Sequence, residues 1–73
     1  MTKNKIEKTV REHAYDNFKE LAYARDEFEF AKDAIKSIVG SYKFSNMDKN
    51  FKDALINKYV DISTTAYMVS TFL

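Results

Sequence analysis

The chain contains no cysteine, no proline and no tryptophan, and only one glycine and one histidine in 73 residues. Each absence removes a class of protein. Without cysteine there are no disulfides and no thiolate metal sites, and a single imidazole cannot build a histidine cage. Without proline, and with Gly40 as the one glycine, neither usual breaker interrupts a helix before residue 40. No run approaches the ~20 apolar residues of a membrane span, and MTKNKIEKTVREH has no apolar stretch behind its charges, so it does not read as a secretory signal. The expectation is a cytoplasmic protein that makes no use of a membrane.

A chain of this length is expected to form one domain, 1–73, burying only about 60 to 65% of the surface that its unfolded form exposes. With disulfides and metals excluded, a marginal core needs a second copy or a partner. Twelve Lys and Arg against eleven Asp and Glu leave a formal charge of +1, which argues against the uniform field of a dedicated polyanion binder. The signs are nevertheless segregated. Lys3, Lys5, Lys8 and Arg11 outnumber Glu7 near the start, where residues 1–4 read as a flexible basic arm, whereas Asp26, Glu27, Glu29 and Asp33 outnumber Lys32 and Lys36.

What is present is a helical pattern, and the expected fold is all-α. From Lys5 to Val39 the sequence reads as one long helix. Leu21, Ala24, Phe28, Ala31, Ile35 and Ile38 alternate spacings of three and four and form one apolar seam. Glu20 with Arg25, and Glu27 with Lys32, stand where a parallel coiled coil sets opposite charges side by side. The seam therefore serves either a homodimer through Leu21, Phe28, Ile35 and Ile38 or the chain's own second helix. Tyr15, Phe18, Tyr23 and Phe30 lie off it and give the helix a second face to cover.

Gly40 ends this helix, and SYKFSN reads as a short connection. Ser45 or Asn46 is the expected N-cap of a second helix, with Asp48 in its first turn. Met47, Phe51, Leu55 and Tyr59 form its apolar stripe, while Lys49, Lys52, Asn57 and Lys58 look outward. A short connection predicts an antiparallel hairpin. The terminal ISTTAYMVSTFL, residues 62–73, holds no ionisable Asp, Glu, Lys, Arg or His. Its β-branched residues suit a strand, but a lone strand has nothing to pair with, so a short third helix is expected, capped by Asp61 or Ser63, with Ala66, Val69, Phe72 and Leu73 on one side. This end either closes the core or is buried by another molecule.

Catalytic groupings are sparse. His13 stands among Arg11, Glu12 and Asp16 and reads as a surface residue, because nucleophilic catalysis needs a base beside an activated nucleophile. Glu12 with Asp16, and Asp26 with Glu29 and Asp33, recur at helical spacing, the pattern of a solvated face. No phosphate loop, zinc spacing or calcium loop is present in the sequence, so neither an enzyme nor a cofactor is expected.

Binding divides into two classes. Lys49, Lys52 and Lys58, with the basic arm of Lys3, Lys5, Lys8 and Arg11, are of the type that contacts phosphates. The stretch KDAIKSIV, a short loop, and DKNFKDALINKY resemble the helix, loop and K-x-F-x-x-h-h helix of the small double-stranded-DNA-binding late-transcription accessory proteins of T-even bacteriophages; Lys49, Phe51, Leu55 and Tyr59 occupy that pattern. The resemblance implies a helical dimer that binds duplex DNA through its phosphates, with affinity falling as salt rises. The chain departs from it in ending on an uncharged segment instead of an acidic helix. The other class is a compact phage-type accessory protein that binds a larger protein or complex as adaptor or inhibitor. Near-neutral charge, eleven aromatic residues and an apolar terminus favour this reading, with Tyr23, Phe30, Tyr67, Met68, Phe72 and Leu73 as its contact residues.

Overall fold

The computed structural model describes residues 2–72, which form five helices and no strand: α1 (Lys3–Asp16), α2 (Phe18–Ala22), α3 (Glu27–Val39), α4 (Ser41–Ser45) and α5 (Lys49–Phe72). The all-α class is as expected, but the long helix is at the other end of the chain. At the start, Thr2 Oγ1 accepts the Lys5 N–H at 3.3 Å. Lys3 and Asn4 are already helical, so the expected arm over residues 1–4 is instead a capped helix start, with Met1 outside the described residues.

Lys5 to Val39 is not one helix. At Asn17 the backbone leaves helical geometry (φ −116°, ψ 25°), and the side-chain amide donates to the His13 carbonyl at 2.9 Å, the kind of local bond by which Asn competes with helix. The larger interruption follows Ala22. Asp26 Oδ1 accepts the N–H groups of Phe28 at 3.0 Å and Glu29 at 3.2 Å, so a capping carboxylate starts a new helix where neither Gly nor Pro is present. Asp26 with Glu29 three residues on is the sequence signature of such a start.

Gly40 ends α3 with φ +93° and ψ 148°, a region that only glycine occupies at low cost. The next residues are more ordered than a plain connection: SYKFS forms α4, and Asn46 caps its C-terminus, donating to the Tyr42 carbonyl at 2.9 Å. The cap of α5 is accordingly Asp48, whose Oδ2 accepts the Phe51 N–H at 3.1 Å, and not Ser45 or Asn46. No third helix begins at Asp61 or Ser63. Nothing breaks the chain there, and Ser63 commits its hydroxyl to the Ala14 carbonyl at 2.8 Å instead of to a cap.

At 24 residues, α5 is about 36 Å long and runs most of the 39 Å length of the molecule. α1 lies parallel to it, since Lys3 sits over Phe51, His13 meets Tyr59 and Ala14 meets Ser63. α3 runs the opposite way: Phe30 faces Tyr59, and further along the chain Phe44 lies under the Lys52 ammonium. The core draws on every helix, with Ile6, Val10 and Ala14 from α1, Leu21 from α2, Ala31 and Ile35 from α3, Phe44 from α4, and Leu55 and Tyr59 from α5.

The dimer seam is largely consumed by this core. Leu21 is 3% exposed and Ile35 is fully buried, Ile38 is half-buried against the core, and Phe28 alone of the four is exposed. The seam is also split, because Leu21 and Phe28 stand on different helices separated by the Asp26 cap. A parallel coiled coil through these four residues is therefore corrected to intramolecular packing.

Candidate functional site

The large apolar side chains left exposed are unevenly distributed. Tyr15, Tyr23, Tyr67, Met68 and Val69 gather where α1 and α2 end and α5 runs on to its terminus, while Phe28 and Tyr42 lie elsewhere. The cause is a difference in length. α2 stops at Ala22, one residue past the buried Leu21, so the last turns of α5 extend beyond the helices that would cover them.

Two clefts flank this part of α5. The larger, about 430 Å³, is lined by Tyr15 and Phe18 on one wall and by Asp61, Ile62, Thr65, Ala66, Val69 and Ser70 on the other. The second, about 240 Å³, lies between Phe18, Leu21 and Ala22 and the Ser63, Thr64, Tyr67 and Met68 side of α5, with Glu27 at its edge. Phe18 borders both and meets the Tyr67 ring edge-on, centroids 6.4 Å apart. Asp61 is the one carboxylate lining the larger cleft. The site is thus an apolar, weakly charged surface able to take apolar side chains and unsuited to polyanions.

Of the expected protein-contact residues, the structure brings Tyr67 and Met68 to one cleft and leaves Tyr23 exposed at the end of α2. Phe30 is corrected: it is half-buried against the core, its ring 6.4 Å from that of Tyr59. The Phe72 side chain and Leu73 lie outside the described residues. Tyr15 and Phe18, read only as a second apolar face, are the walls of the larger cleft. Their spacing from Ala14 and Leu21 was the available signal, and it becomes specific only once Asn17 bends the helix.

The cations of the alternative reading have different settings. Lys49 pairs with Asp53 at 3.1 Å on the surface, Lys52 lies 4.8 Å from the Phe44 ring centre, and Lys3 lies 5.1 Å from that of Phe51. Arg11 and Lys58 come together across a third cleft of about 240 Å³, with Glu7, Val10, Phe51, Ala54 and Leu55. Lys5 and Lys8 are exposed on α1.

His13 is also corrected, from surface residue to half-buried partner of the core. Its Nδ1 is hydrogen-bonded to the Tyr59 hydroxyl at 2.8 Å, and the Asn17 amide nitrogen approaches the same ring nitrogen at 3.4 Å. The Asn17 amide nitrogen can only donate, an arrangement that favours Nδ1 as acceptor, with the Tyr59 hydroxyl donating and the ring proton on Nε2. Burial, with a smaller contribution from the Glu20 carboxylate, pushes the Tyr59 phenol up to about 12. A phenol that resists ionisation is a structural donor, not a base. Among the described residues no group of three His, Cys, Asp or Glu could hold a metal, and no helix is long and apolar enough to cross a membrane.

Comparison with protein families, with curated proteins and with solved structures finds no match to this chain.

Proposed function

We propose that this chain is a non-enzymatic accessory protein that acts by binding a larger protein, as adaptor or inhibitor, through the outer end of α5. The observation that carries the reading is the exposure of Tyr15 (65%), Tyr67 (48%), Met68 (54%) and Val69 (51%) around clefts in a stretch of α5 that has no charge after Asp61. Covering a half-exposed Met or Val is worth on the order of 1 kcal/mol each. Tyrosine adds area at little rotamer cost, and methionine adapts to irregular surfaces. Few charges have to be desolvated in the process, so most of the buried area contributes to binding.

A second reading, a helical dimer on duplex DNA, draws on the arrangement of Lys3, Arg11 and Lys58 along the α1–α5 side. One experiment separates the two. The chain and its Met68→Asp/Val69→Asp variant are used to capture protein from cell extract and are passed over immobilised duplex DNA at several salt concentrations. The expected result is a retained protein that the variant loses with its circular dichroism unchanged, and no retention on DNA at physiological salt. Retention on DNA that falls steeply with salt and survives the aspartates would transfer the function to the cationic side.

A further inference from the structure

The parallel pair α1 and α5 leaves an outer groove in which two clefts lie in line. Toward the helix starts is the cleft of Glu7, Arg11, Leu55 and Lys58; toward the ends is the larger cleft of Tyr15, Phe18, Ile62 and Val69. α3 packs on α5 through Phe30 and Tyr59, and none of its residues lines either cleft, so the α1–α5 groove is left uncovered. Lys58 to Val69 is eleven steps of α5, roughly 16 Å or three helical turns.

Resting on the reading above, we propose that this groove takes one amphipathic helix of the partner protein, with apolar side chains seated on Tyr15, Phe18, Ile62 and Val69 and carboxylates at the Arg11–Lys58 end. Shape argues for a helix, because α1, continued past the Asn17 bend by α2, and α5 present a trough between helices into which a third lays its ridge. Charge argues for the carboxylates. Arg11 and Lys58 face each other across the first cleft with Glu7 as its one carboxylate, and Lys8 is exposed on α1 one turn from Glu12 and beside Glu7. A carboxylate entering there reaches two cations at once, whereas a lysine meets them as like charges. Asp61 stands one turn after Lys58, between the two clefts, and the lining of the apolar cleft beyond it holds no cation to receive an acidic turn, which favours the Arg11 end for the carboxylates.

The test uses the full chain, labelled with ¹⁵N, and two synthetic amphipathic peptides of about 18 residues. They share apolar anchors at helical i, i+3, i+4, i+7 spacing and differ in one terminal turn, which carries Glu in one and Lys in the other. The Glu peptide is expected to bind at least tenfold more tightly, with resonance shifts at Arg11, Tyr15, Lys58 and Val69. Arg11→Glu with Lys58→Glu, both at exposed positions, is expected to reverse the preference, and Val69→Asp to weaken both peptides about tenfold. Equal affinity for the two peptides overturns the acidic end while the apolar surface stands. Shifts confined to the Leu21–Met68 cleft overturn the groove and again spare the surface. If neither peptide binds and light scattering finds a dimer, the occupant is a second copy and the proposal falls; if neither binds to a monomer, the proposal and the reading beneath it fall together.

Discussion

The two halves of α5 are built on different terms. From Lys49 to Val60 the helix buries Leu55 and Tyr59, half-buries Phe51, Ile56 and Val60, and turns Lys49, Asp53 and Lys58 to water. From Asp61 onward the contrast inverts. The buried residues are the small Ser63 and Ala66, and the exposed ones include the large Tyr67, Met68 and Val69. Small side chains on the inner face let α1 come close enough for the Ser63 hydroxyl to reach the Ala14 carbonyl at 2.8 Å. Close approach leaves no room for bulk between the helices, so the bulk of this segment points outward. One half of the helix holds the fold together, and the other displays a surface.

The contrast is broken most directly at Tyr59. Tyr59→Ala removes a fully buried ring that touches His13 and Phe30, and the expected loss is about 3–5 kcal/mol in urea unfolding. In the outer half, Val69→Ala is expected to cost well under about 1 kcal/mol. Alkaline pH attacks the same residue more gently. The Tyr59 phenol is raised from 10.0 to about 12 in the folded chain, so between those values the native state holds a proton that the unfolded state has released. Stability is complete below pH 10 and falls as pH rises toward 12, by roughly 2–3 kcal/mol at 1.36 kcal/mol per unit. Chemical denaturation at pH 9, 10.5 and 12 reads this loss, and Tyr59→Phe is expected to remove Tyr59's share of it.

Much of this division was legible in the sequence, and its limits have physical causes. The stripe Phe51, Leu55 and Tyr59 could be read because helical spacing and side-chain bulk point the same way. In residues 62–73 they point in different directions: with no charges to mark the outer face, the period carries no sign, and the inner face was set by the smallness of Ser63 and Ala66. The bend before α3 is not legible from Gly and Pro as breakers; its signal is the capping relation of Asp26 and Glu29. The seam of Leu21, Ala31 and Ile35 was found correctly as apolar, but whether it faced α5 or a second copy depended on that bend. His13 is not legible as a core partner because Tyr59, to which it is hydrogen-bonded, lies 46 residues away on another helix. Tyr15 and Phe18 were visible as apolar residues off the seam, and only the kink at Asn17 makes them walls of a cleft.

A smaller perturbation tests whether close approach is the reason for the inversion. Ser63→Ala keeps the small volume and deletes the hydroxyl that reaches Ala14. The expected cost is about 1–3 kcal/mol, because the carbonyl of the fully buried Ala14 loses this donor. Ser63→Val deletes the same hydroxyl and is expected to cost about a further 1–3 kcal/mol, since its added bulk must force α1 and α5 apart. If the valine variant is as stable as the alanine, helix separation is not what limits this position, and the explanation of the outward-facing bulk fails.

The smallest effect belongs to the outermost residues. Met68→Asp and Val69→Asp place charge on side chains that are about half exposed, where substitutions usually change stability by no more than about 0.5 kcal/mol. Negative charge near a helix C-terminus opposes the helix dipole, which adds only a few tenths of a kcal/mol at an exposed position. A midpoint shift within this range in urea unfolding, monitored by circular dichroism, would separate the outer half of α5 from the core energetically as well as geometrically. A loss above about 1.5 kcal/mol would mean that Met68 and Val69 support the fold; the apolar end would then be a thinly covered part of the core, and its claim to be a binding surface would go with it.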